Sequence, residues 1–141
     1  MDGRLGIRKT ACNLLAALGF ECQAVASSIA GLRAVRAESG SVDIVICEHA
    51  LPQTDAMPFV EELRQQGFTG LIFVHASQLD LHERNQWGRC NVDRLVIGPG
   101  ALADILQELE TLALQNRAAA LQGRQLVTKP AATSASITAV V

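Results

Sequence analysis

The sequence predicts an α/β layer structure with a parallel sheet. Two observations carry that class. Short apolar runs rich in β-branched residues, such as Val42–Cys47 (VDIVIC) and Leu71–Ala76 (LIFVHA), have the length of strands and the near-continuous hydrophobicity of strands buried on both faces. Between them lie segments whose apolar residues recur at helical spacing, and strands alternating with helices in this way specify a doubly wound layer structure.

In chain order, Asp2 offers a cap for a helix over roughly residues 4–18, with Ile7, Ala11, Leu14, Leu15 and Leu18 on one apolar face and Gly19 as its stop. Glu21 to Ala26 reads as a short strand. Ser27 and Ser28 provide N-caps for a second helix that turns Ile29, Leu32 and Val35 inward and closes at Gly40. The strand Val42–Cys47 follows and runs into the loop Glu48–Ala56. A third helix near Met57–Gln66 has Pro58 in its first turn and Phe59, Val60 and Leu63 on one face. After the strand Leu71–Ala76 comes a weak, polar helix over Leu79–Arg89 with Trp87 as its aromatic. Arg94–Ile97 (RLVI) is a short strand broken by Gly98-Pro99-Gly100, and a long helix extends from Ala101 to about Gln122. The Ala-, Ser- and Thr-rich segment that follows, with Pro130 inside it, reads as a linker over 123–136. Ile137–Val141 (ITAVV) has strand composition. The division expected is thus a domain over 1–122, a linker over 123–136 and a short strand over 137–141.

With 141 residues, about half of them apolar, the chain has the material for one domain with a substantial core. No apolar run approaches the ~20 residues that span a bilayer, and the N-terminus lacks a signal-peptide core. The expectation is therefore a cytoplasmic protein without a membrane partner. A net charge of −2 and scattered arginines argue against a nucleic-acid partner. Cys12, Cys22, Cys47 and Cys90 form no CxxC pair and lie in or beside apolar segments, so buried free thiols are expected in preference to disulfides or a zinc site. No Gly-rich phosphate loop is present, since Gly98-Pro99-Gly100 is short and lacks the lysine. Thr10, Cys12 and Asn13 show no nucleophile-plus-base spacing, and His49 and His82 read as loop and surface residues.

Four segments, Ile7–Phe20 (IRKTACNLLAALGF), Asp43–Met57 (DIVICEHALPQTDAM), Leu71–Ser77 (LIFVHAS) and Arg94–Leu106 (RLVIGPGALADIL), resemble the receiver domain of bacterial two-component response regulators. The resemblance covers about residues 2–114. It implies a flavodoxin-like five-stranded sheet that accepts a phosphoryl group on an aspartate, aided by an acidic pair for magnesium, a Thr or Ser, and a Lys. Each of those positions is altered. Glu48 stands for the acceptor aspartate, His75 for the Thr or Ser, and Gly98 for the lysine. The acidic pair falls at Asp2 and Gly3, so one carboxylate is lost, and Ala56 replaces the usual glycine.

The chemistry follows from the substitutions. Magnesium wants an octahedron of hard oxygens, and Asp2 with Glu48 is a poor cage. Glutamate sets its carboxylate one methylene further out, which spoils in-line geometry, and the missing lysine removes a stabilising cation. The expectation is a degenerate pocket of Glu48, His75, Asp2 and Gly98 with no catalytic residue, no metal and no cofactor. Glu48 and His75 would end adjacent strands, either as a hydrogen-bonded pair or as a pH-sensitive pair or, with Asp2, a small metal site.

The family's first strand has no counterpart ahead of Asp2. Its slot would be filled by Ile137–Val141, by circular permutation or by exchange with a second subunit; otherwise the start is truncated and the tail disordered. On the last helix, Leu102, Ile105, Leu109, Leu112, Asn116 and Ala119 follow a 3-4-3-4-3 spacing that suits either a coiled-coil seam or packing on the domain itself. Leu109, Leu112, Asn116, Ile137 and Val140 are therefore the candidate oligomer contacts of an expected homodimer. The functional expectation is a pseudo-receiver, not an enzyme, that signals by phosphorylation-independent protein–protein interaction, with a histidine kinase or an effector domain as the kind of partner. The rivals are a working phosphoacceptor in a phosphorelay and a small-molecule-binding flavodoxin-like domain.

Overall fold

A computed structural model describes residues 3–37, 42–51, 54–121 and 136–140, with side chains over 6–37, 42–50 and 56–115. Five helices, α1 (Gly3–Ala17), α2 (Ser28–Ala37), α3 (Ala56–Gln65), α4 (Leu81–Trp87) and α5 (Ala101–Leu121), alternate with strands β1 (Glu21–Val25), β2 (Val42–Glu48), β5 (Leu71–Ala76) and β6 (Arg94–Ile97). A two-residue hairpin, β3 (Ala50–Leu51) with β4 (Thr54–Asp55), occupies the region expected to be plain loop, and β7 (Ser136–Val140) ends the described chain.

The sheet runs β1-β7-β2-β5-β6 with every neighbouring pair parallel. This is the flavodoxin-like order, in which the innermost strand of the first crossover lies between the second and third. Here β7 holds that inner position. Ile137 is registered between Cys22 and Ile44, and Val140 between Val25 and Cys47, with a register shift on β2 at Asp43. The strand begins one residue earlier than expected, at Ser136. The remainder of the expected linker lies outside the described residues, as does Asp2.

Strand alternation sends successive side chains to opposite faces and so builds two cores. Val45, Cys47, Ile72 and Val74 face α2, α3 and α4, where Phe59, Val60, Leu63 and Trp87 meet them. Ile44, Ile46 and Phe73 face α1 and α5, against Leu15, Ile105 and Leu109. The apolar face expected for α3 is the one that is buried.

Two other helices depart from expectation. On α1 the buried stripe is Arg8, Ala11 and Leu15, whereas Ile7 and Leu14 are about half exposed. Cys12, next to Ala11, is disulfide-bonded to Cys22 of β1 across a Cα–Cα distance of 5.4 Å, a separation that this phase of the helix makes possible. The bridge also corrects the expectation of free thiols at both residues, while Cys47 and Cys90 are free. On α2, Ser27 caps as expected, its Oγ accepting from the Ala30 N–H at 3.2 Å. Leu32 and Val35 pack partly buried against the core as expected, Gly31 and Ala34 are the buried residues beside them, and only Ile29 departs from the expectation, exposed in the first turn. Small residues there let the helix approach the sheet closely.

At the amino edge of the sheet, Arg64 makes four hydrogen bonds. Its Nη1 donates to the carbonyls of Phe68 (3.0 Å) and Gly70 (2.8 Å), Nε donates to Asn91 O (2.9 Å), and Nη2 donates to Asp93 Oδ2 (3.0 Å). The same Asp93 oxygen accepts from the Ile72 N–H at 2.8 Å. Gly70 is required there because a Cβ would collide with the Asp43 carbonyl.

Candidate functional site

In a parallel open sheet, chemistry gathers beyond the carboxyl ends of the strands. Three of the expected positions meet there. Glu48 ends β2, and its register partner on β5 is His75. Gly98 follows β6 and donates its N–H to Ala76 O at 2.8 Å, so the turn after β6 is stitched to the end of β5. The chain after Glu48 is held the same way, with the His49 N–H donating to His75 O at 2.8 Å. Alternation puts Glu48 and His75 on the α1/α5 side, in line with Ile46 and Phe73.

His75 is 8% exposed, and its Nε2 has no hydrogen-bond partner among the described residues. The expected hydrogen bond from this nitrogen to Glu48 is therefore not made. Burial holds the imidazole well below the ordinary histidine range, down to about 4, so it is neutral at pH 7. Gly98 has φ +138°, a conformation that side chains rarely adopt. A lysine could find space there, but the backbone disfavours it. The described residues hold no cluster of three or more metal-ligating side chains.

The opposite side of the sheet carries an arrangement that sequence reasoning missed. Trp87 Nε1 donates to His49 Nδ1 at 3.0 Å, which leaves Nε2 as the protonated nitrogen of the neutral ring, 3.3 Å from Glu83 Oε1. Glu83 is itself fixed, because it closes a capping box with Asp80 at the start of α4. His49 thus anchors the β2–α3 connection to α4 beside a cleft of about 260 Å³, lined also by Met57, Pro58, Glu61 and Gln86. The signal in the sequence was Trp87 itself, since a buried indole N–H needs an acceptor. His82 is exposed, as expected of a surface residue.

The oligomer candidates separate. Leu109 is fully buried against the sheet, so it is not available to a partner helix, whereas Leu112 is 38% exposed. Ile137 and Val140 lie within β7, paired on both sides inside the same chain. The side chain of Asn116 lies outside the described set.

The strand order and the two helical layers are those of the response regulator receiver fold. A CheY-like receiver from Methanospirillum hungatei JF-1 superposes with a TM-score of 0.66 at 14% identity, over 81% of this chain and 90% of that one. A receiver from Clostridium thermocellum gives 0.66 at 19% identity, over 80% and 89%. A chain described as one of a family of redox sensors in the streptococci that evolved from two-component response regulators gives 0.61 at 16% identity, over 86% of this chain and 52% of that one. No family model matches the sequence. No curated protein matches it either.

Proposed function

We propose that this chain is a pseudo-receiver: a signalling domain that works by protein–protein contact and does not carry out phosphoryl transfer. The observation that supports this best is the carboxyl edge itself. A glutamate stands at the acceptor position, a buried neutral histidine at the hydroxyl position, and a glycine of positive φ at the lysine position. None of the three supplies what phosphoryl transfer needs from that place. Glu48, half-buried at the strand end, would present a standing negative charge where a phosphorylated receiver presents about two. The partner is another protein, a kinase or an effector domain, or a second copy of this chain. Calorimetric titration with magnesium should show no binding tighter than about millimolar. Tighter binding that is lost in Glu48→Gln would contradict the proposal.

A second reading concerns the input. The Cys12–Cys22 bridge belongs to the class of bond that thiols reduce, and one structural neighbour is described as a redox sensor. In this reading the redox state of that pair takes the place of phosphorylation as the signal.

A further inference from the structure

We infer that Cys12 and Cys22 form a reversible thiol–disulfide exchange site, open to dithiol reductants, whose state sets how firmly β7 is held in the sheet. The inference rests on the redox reading above and adds its mechanism.

Strand β1 is weakly held. It is an edge strand, paired on one side only, to β7. Along it Glu21, Gln23 and Ala24 are exposed and Val25 alone is buried. Its side chains therefore contribute little to either core. Apart from β7, β1 is tied to the rest of the molecule by Val25, by the short turn from α1 in which the Phe20 N–H donates to Leu15 O at 3.0 Å, and by the bridge from Cys22 to α1. That helix in turn is seated on the sheet by Ala11 and Leu15, next to Cys12. The disulfide is thus the covalent side wall of the slot that β7 occupies. With the bridge open, β1 is free to fray, and β7 becomes an edge strand held by β2 alone.

The site is suited to exchange. Neither cysteine is fully buried, and β1, which carries Cys22, is an edge strand. The two free thiols are poor competitors: burial pushes Cys47 up to about 12, and Cys90 is raised by burial and then by the Glu61 carboxylate. The exchange balances without further reagents. One thiolate of a dithiol attacks a sulfur of the bridge, the S–S bond breaks, and the other cysteine leaves as a thiolate and takes up a proton. The second thiol of the reductant then attacks the mixed disulfide and releases the first cysteine. Two electrons and two protons pass to the protein, and the dithiol becomes a cyclic disulfide. A disulfide oxidant reverses the sequence.

The test uses the full chain, oxidised and after dithiothreitol, with alkylation and intact mass to count thiols. The reduced protein should gain two alkylatable cysteines, Cys12 and Cys22, and lose them on treatment with oxidised glutathione. Hydrogen exchange should then show amides of Ser136–Val140 and Glu21–Val25 opening roughly ten-fold faster or more in the reduced form, with Leu71–Ala76, which does not pair with β7, unchanged. Cys12→Ser and Cys22→Ser should match the reduced pattern under oxidising conditions. A bridge that resists millimolar dithiothreitol while the protein stays folded overturns both the redox reading and the inference. A bridge that cycles with identical exchange at β7 leaves the redox reading standing and overturns the inference.

Discussion

Removal of β7 is the perturbation with the largest consequence for this fold. The strand is registered over five positions with β1 and over five with β2. A parallel ladder supplies about one hydrogen bond per registered pair, so a chain ending at residue 135 leaves on the order of five backbone groups unpaired on each flank. The exposed strand β1 can return its groups to water. By contrast β2, whose Val42 and Ile44 through Cys47 are all buried, cannot do so without admitting water to the middle of the sheet. At ~1–3 kcal/mol for each buried unsatisfied group, five groups on β2 cost roughly 5–15 kcal/mol. That is the whole stability of a typical domain, ~5–15 kcal/mol. The truncated chain should therefore show no cooperative melt by far-UV circular dichroism, or should associate through its open strands in light scattering. A synthetic peptide of Ser136–Val140 added in excess should restore the transition. A truncated protein that stays monomeric and melts at the temperature of the full chain would mean that β7 is not needed to close the sheet.

Two further substitutions probe other parts of the structure. Arg64→Ala removes four hydrogen bonds at the amino edge and leaves Asp93 without its cation; with Arg64 only partly exposed, the loss should be roughly 2–3 kcal/mol in urea unfolding, and a change under about 0.5 kcal/mol would show that the cluster is ornamental. His75 has a folded-state pKa of about 4, below the ordinary value of 6.5, so the unfolded chain binds more protons between those values. Stability should accordingly fall by roughly 3 kcal/mol as pH drops from about 6.5 to 4 and be untouched by His75 above about 7. In His75→Gln that segment of the pH profile should flatten, and an unchanged slope would mean that the imidazole is not buried as neutral.

The parts of the fold that sequence revealed are those governed by local pattern. The runs VDIVIC and LIFVHA have strand composition, Glu48 closes the first of them, and ITAVV has the character of a strand with a slot to fill. The parts it hid depend on residues far apart or on helix phase. Nothing in the spacing of Cys12 and Cys22 distinguishes a bridge from two core thiols, because their approach is set by the rotation of α1 about its axis. The same rotation decides that Arg8 is buried and Ile7 is not. His49 finds Trp87 and Glu83 across separations of 38 and 34 residues, which no local motif encodes. The 3-4 spacing on α5 suits a coiled-coil seam and a sheet-facing stripe equally well, and Leu109 belongs to the second.

The central claim is that the carboxyl edge of this receiver fold no longer accepts phosphate. Its most direct test is incubation of the full chain with acetyl phosphate and magnesium, read by intact-mass spectrometry beside a receiver that retains its acceptor aspartate. The control should gain the mass of one phosphoryl group while this protein stays at its unmodified mass. A stable singly phosphorylated species that disappears in Glu48→Gln would contradict it.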